Sequence, residues 1–128
     1  MESDLDSVQA LYQVIKEHVR IVTQTHVIGA LRQQERILRE KWRTRIIDTR
    51  DRLDRMVQEI IRKGVENGDF SVIDSRLSVL STFGVLNDII RWYSPQGRLS
   101  VEEIGECVAD FILKGFGVGS DMIRTLQN

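Results

Sequence analysis

Pro95 is the single proline among 128 residues, and no other feature restricts the fold as much. Proline removes a backbone donor and breaks helices, so a chain nearly free of it is open to long ones. The apolar residues use that freedom. From Asp4 to Thr25 they fall at Leu5, Val8, Leu11, Tyr12, Ile15, Val19 and Val22, at steps of three and four that describe one helical stripe. Ser3 or Asp4 is placed to cap its start, and His18 lies on the stripe's edge. Residues 26–40 are less regular. There Val27, Ile28, Leu31, Ile37 and Leu38 predict a short helix or two helical pieces, with Gly29 near a break.

Over residues 41–67 the pattern is strong. Trp42, Ile46, Leu53, Val57, Ile60 and Ile61 share one side of a helix. The opposite side sets Asp48 before Arg52, Asp51 before Arg55 and Glu59 before Lys63, the acid-first i,i+4 order that favours ion pairs. Gly68 after Asn67 suits the left-handed residue that closes a helix. Asp74 can cap a further helix running to Tyr93. Leu77, Val79, Leu80, Phe83, Val85, Leu86, Ile89, Ile90, Trp92 and Tyr93 surround most of that helix. Several of its faces must therefore be covered, and in so short a chain a second subunit is a natural cover. Ser94-Pro95-Gln96-Gly97 reads as a turn. Ser100 and Glu103 form the S-x-x-E capping box of a last main helix from Val101 to Phe116, whose Ile104, Val108, Phe111, Ile112 and Gly115 share a face. No strand-like alternation and no internal repeat competes. The expected fold is all-α, an antiparallel bundle of about five helices. One domain spans residues 1–117, and residues 118–128 form a short C-terminal tail, helical or frayed.

Composition excludes several functions. Hydrophobic residues make up 41% and charged residues 29%, too apolar a balance for a disordered chain. No run reaches the ~18 apolar residues of a membrane span, and the acidic start Met1-Glu2-Ser3-Asp4 has no apolar signal core. Neither a membrane partner nor secretion is expected. The net charge of −1 argues against a chain that grips nucleic acid by itself. The charge is uneven, since residues 32–63 hold eleven Lys/Arg against six Asp/Glu. The two signs interleave, which reads as a solvated helix face; a phosphate-contacting patch is the alternative.

The chain has no phosphate loop, no nucleophile elbow, no H-E-x-x-H and no C-x-x-C. No enzyme, catalytic residue or cofactor is expected. His18 and His26 stand two helical turns apart, ~12 Å, too far to share a metal, so no metal site is expected either. Glu102, Glu103, Glu106 and Asp110 complement the positive end of their helix rather than form an acid–base pair. The lone Cys107, beside Val108, reads as a small buried hydrophobe. Asn87 is the most informative polar residue. An amide inside the most apolar helix needs a partner, from a neighbouring helix, across a dimer seam or from a ligand. Thr23 and Thr82 raise the same question more weakly.

Three segments together resemble a known family. They are FGVLNDIIRWYSPQGRLSVEEI at residues 83–104, VADFILKG at 108–115 and IRKGVENGDF at 61–70. They are similar to the end of the TetR (tetracycline-repressor-like) transcriptional regulators, which show a W-Y helix end, a P-x-G-R-L-S turn, E-E-I, a closing L-x-G and a G-x-x-x-G-x-F hinge. The resemblance covers roughly residues 8–116 and is most specific over 61–116. This W-Y and R-L-S version looks most like the branch that senses fatty acyl, steroid or acyl-CoA molecules.

The resemblance implies the effector-binding and dimerisation domain of a repressor, working in the cytoplasm as a homodimer. The last two long helices would pair, with Leu86, Ile90, Tyr93, Ile104, Val108, Phe111 and Ile112 at the interface. Operator DNA would be reached only through a helix-turn-helix domain missing from this chain, because residues 1–31 form one acidic amphipathic stripe instead. The chain is then a fragment or a natural form lacking that domain. Ile15, Val19, Val22, Thr23, Leu31, Leu38, Ile46, Leu53, Val57, Phe83 and Asn87 are expected to line a ligand site among the first four helices. Such a lining suits a lipid-like or acyl-CoA effector, with Arg36 and Arg39 at the mouth to hold a carboxylate or phosphates. The competing reading is a structural module that pairs with full-length relatives and binds no ligand. An enclosed apolar cavity would favour the sensor, and a filled interior the module.

Overall fold

The computed structural model describes residues 4–29 and 36–127. Among them the chain runs through five helices and no strand. They are α1 (Asp4–Gly29), α2 (Arg36–Asn67), α3 (Ser75–Trp92), α4 (Val101–Gly115) and α5 (Ser120–Gln127).

α1 is the centre of the bundle, packed against α2, α4 and α3. Its apolar stripe is wide enough for three neighbours. Val8, Leu11, Tyr12, Ile15, Val19 and Val22 are buried, and so are Ser7, Val14, His18 and Thr23. Over residues 7–24 the exposed positions are Gln9, Gln13, Arg20 and Gln24. Their four- and seven-residue spacing makes one narrow polar strip on an otherwise covered helix.

Over residues 26–40 the described parts are two helical pieces, one of the two expected readings: α1 is described to Gly29 and α2 from Arg36. Leu31 lies outside the described residues.

α2 is 32 residues long and buries Ile46, Leu53, Val57 and Ile61. Its expected acid-first ion pairs do not close. Neither Asp48–Arg52, Asp51–Arg55 nor Glu59–Lys63 comes within ion-pair distance; Arg62 instead holds Glu59 and, at 2.7 Å, Glu66. Exposed pairs gain little over solvation, so spacing alone does not fix them. Arg62 has an acid one turn away on each side.

Beyond α2 the chain reverses through a tight hinge. Gly68 takes φ 84°, the left-handed conformation expected of it. The Phe70 N–H donates to the Gly64 carbonyl at 3.0 Å, and a Cβ on Gly64 would come within 2.2 Å of the Phe70 ring. Glycine is needed at 64 because the ring lies flush on the backbone. Phe70 stacks at a tilt on Phe116, 5.2 Å between centroids, and the Ser71 N–H donates to the Phe116 carbonyl at 2.9 Å. The hinge is thus tied to the end of α4.

Asp74 caps α3 by accepting from the Leu77 N–H at 2.9 Å, and Ser100 and Glu103 form the full capping box of α4. Between them Gly97 N–H closes the turn onto Ser94 at 2.9 Å. Gly117 also takes a left-handed φ, 85°, and the chain continues into α5. Val118 and Ile123 are buried in the shared core, so the C-terminal residues pack on the bundle.

Candidate functional site

Two places concentrate features that helix packing alone does not require. The first is a polar group among α1, α2 and α3. His18 on α1 has no exposed surface, and its Nε2 lies 2.8 Å from Asp54 Oδ1 on α2. One turn earlier on α2, Arg50 donates to Asn87 Oδ1 on α3. Asn87 is therefore satisfied by a neighbouring helix. The Thr23 hydroxyl donates to the Arg20 carbonyl at 2.9 Å, and Thr82 donates to Ser78 at 2.8 Å.

His18 is neutral at pH 7. Burial pushes its pKa down, and this outweighs the upward pull of the Asp54 carboxylate. A lone pair on Nε2 facing that carboxylate would be repulsive, so Nε2 carries the proton and donates. Nδ1 then bears the lone pair. It is buried and has no hydrogen-bond partner among the described residues.

Ile15, Val19, Val22, Leu53 and Val57, on the same two helices α1 and α2, belong to the buried core. Ile46 and Thr23 are buried as well, while Phe83 and Asn87 are half-buried. The described lining residues are thus buried or half-buried on α1, α2 and α3. Arg36 belongs to the first turn of α2, with Leu38 and Arg39 just after it; their side chains lie outside the described ones. Lys41 and Arg43 are exposed, and Arg45 stacks over the Trp42 ring at 5.3 Å.

The second place is an open groove of about 960 Å³ between α3 and α4, floored by Val85, Thr82, Ile112 and Phe116 and rimmed by Leu77, Ser81, Asp110 and Phe111. None of the expected ligand-lining residues borders it. Phe111 is 68% exposed and Leu77 61% exposed, large apolar side chains left to water. Leu80, Trp92 and Ile73 are exposed too.

Of the residues expected at a dimer interface, Phe111 and Ile90 are exposed, and Tyr93 and Val108 are half-buried. Leu86, Ile104 and Ile112 face the protomer's own core, at 0%, 6% and 5% exposure. Leu86 has no surface left to give a partner. The outer apolar face of α3 is carried by Leu77, Val85 and Trp92. Their spacing of eight and seven residues puts them on one side of the helix, and packing rather than the pattern decides that this side faces out. Asp54 and Arg50 also escaped sequence reading, although an i,i+4 charged pair between core positions Ile46, Leu53 and Val57 marks them.

Two further placements differ from expectation. Cys107 is exposed rather than buried, because α4 turns its Ile104, Ala109 and Ile112 inward instead. Glu106 is not only a dipole-complementing acid. It accepts from the Tyr12 hydroxyl at 2.5 and 2.7 Å and from Lys16 Nζ at 2.8 Å. Burial pushes its carboxyl pKa up, but Lys16 and Tyr12 together hold it below the ordinary glutamate value. Among the described residues, no helix is long and apolar enough to cross a membrane.

The sequence model of one family, described as "Tetracyclin repressor-like, C-terminal domain", matches residues 4–116. No curated protein matches the chain. Among solved structures, a TetR family transcriptional regulator, PfmR from Thermus thermophilus, is similar. It is 24% identical over 88% of this chain and 71% of that one, with a TM-score of 0.48.

Proposed function

The chain belongs to the tetracyclin-repressor-like C-terminal domain family, a family of regulatory domains rather than enzymes, and on that premise we propose that it is the dimerising, effector-responsive part of a cytoplasmic transcriptional repressor. The observation that carries the proposal is the apolar groove between α3 and α4, with Leu77 and Phe111 exposed along it. Exposed apolar patches of this kind mark interaction sites, and a two-fold pairing of α3 and α4 with the same helices of a second copy covers them. Sedimentation at micromolar concentration tests it. A dimer is expected from the wild-type chain and a monomer from Phe111→Glu; a wild-type monomer would refute the pairing.

The effector site belongs among α1, α2 and α3, where the aliphatic residues around His18 meet. A lipid-like body suits those side chains. Arg36 and Arg39, close in sequence to exposed Lys41 and Arg43, would hold a carboxylate or the phosphates of a coenzyme A thioester. A bound effector would shift α1 against its neighbours and so change the spacing of the two DNA-binding heads in a complete regulator.

One observation favours a second reading, a structural dimerisation module without a ligand. Ile15, Val19, Val22 and Val57 are packed to zero exposure. Calorimetry with long-chain fatty acids and their coenzyme A esters separates the two. Tighter binding of the ester, lost in Arg36→Ala and Arg39→Ala and weakened by salt, supports the sensor with its basic mouth. Equal binding of acid and ester removes the mouth alone. No binding of either supports the module.

A further inference from the structure

We propose that His18 Nδ1 is the deep hydrogen-bond anchor of the effector site, and that it selects a neutral donor, a hydroxyl or an amide N–H, over a carboxylate. The proposal rests on the effector reading above and names the polar chemistry of that same site.

Three observations carry it. His18 is fully buried, and its Nδ1 has no hydrogen-bond partner among the described residues. Buried polar atoms are nearly always satisfied, so an orphaned one marks a place for a bound water or a ligand group. Second, the Nε2 contact to Asp54 at 2.8 Å fixes the tautomer. A carboxylate on Nε2 holds the proton there and leaves Nδ1 an acceptor. The same arrangement, in which a partner on one nitrogen sets the role of the other, orients histidines at metal and catalytic sites. Third, the surroundings oppose a charge. His18 shares the face of Ile15, Val19 and Val22 on α1, its partner Asp54 stands between Leu53 and Val57 in the α2 sequence, and all five aliphatic residues belong to the buried core.

A carboxylate at this point would bring no proton to Nδ1. It would also be desolvated within reach of the Asp54 charge, a costly arrangement. A cation would meet a lone pair but lose its hydration in an apolar cluster. A hydroxyl brings one proton and little desolvation. Thr23 does not supply that proton, because its hydroxyl already donates to the Arg20 carbonyl. The ligand pictured is an apolar chain with a donor that reaches α1, whatever group it carries at the α2 end.

The test uses the full chain with 1-decanol, decyl methyl ether and decanoic acid, read by calorimetry and by nitrogen-15 NMR of the His18 ring. The alcohol is expected to bind about fivefold tighter than the ether, the preference a single net hydrogen bond gives. The Nδ1 signal should move upfield with the alcohol and stay in place with the ether. In His18→Phe the alcohol and the ether should bind alike. Should that variant fail to fold, the wild-type Nδ1 signal decides by itself. If alcohol and ether bind equally and Nδ1 does not move, the anchor is wrong while the effector site stands. If none of the three probes binds, the effector reading fails and the anchor falls with it.

Discussion

His18 and Glu106 make the same kind of statement about acid. Both have folded pKa values below their ordinary ones, so the unfolded chain binds more protons and stability rises with pH. For His18 the contribution is complete above about pH 6.5, the unfolded value, and is lost as pH falls through the folded value. For Glu106 the same loss starts below about pH 4.3. Denaturant unfolding at about pH 7.5 and about pH 5.5 should therefore show a weaker fold at the lower pH, and His18→Gln should narrow the gap. A variant with the undiminished gap would remove His18 as the cause. Glu106→Gln keeps the shape but weakens the bonds to buried Tyr12 and to Lys16, which like Glu106 is partly exposed. It should cost about 1 kcal/mol at neutral pH, as the loss of one charge-assisted bond near the surface does.

At the scale of elements, caps and stripes were legible because they depend on near neighbours. Asp74, the Ser100–Glu103 box and Gly68 act over three or four residues, and the structure places each as expected. The start of α2 was less so. The helix is described from Arg36, five residues before the strong apolar pattern at Lys41, and the exposed residues 40–45 carry no buried stripe to read. The two sides of α3 were not legible either. Its apolar residues go round the helix, and only packing decides that Leu86 and Ile89 turn inward while Leu77 and Trp92 turn out. The polar partners of the candidate site, Asp54 and Arg50, came from another helix and left only a faint mark in spacing. The α2–α3 hinge offers a direct test of close packing. Gly64→Ala forces a methyl against a Phe70 ring that is 3% exposed and stacked on Phe116. A loss of about 1–3 kcal/mol is expected by thermal or denaturant unfolding. Phe70→Leu in the same chain should recover part of it by vacating the ring's place.

For the whole molecule, the interface is the first question. Ile90 and Phe111 were both expected at the seam, yet only Phe111 borders the α3–α4 groove. Sedimentation of the two glutamate variants should tell the faces apart, with Phe111→Glu monomeric and Ile90→Glu still dimeric; the reverse result would move the seam to the other side of α3. The central place of α1 has a consequence of its own. A helix wrapped by α2, α3 and α4 cannot unwind until the wrappers have left. Its amide hydrogens from Val8 to Val22 should exchange with deuterated solvent only when the entire domain opens. Those of α2 at Lys41–Arg45, where the side chains face water, should exchange through local fraying. Deuterium uptake along the sequence would then draw α1 as the slowest segment, a rod on which the other helices come and go.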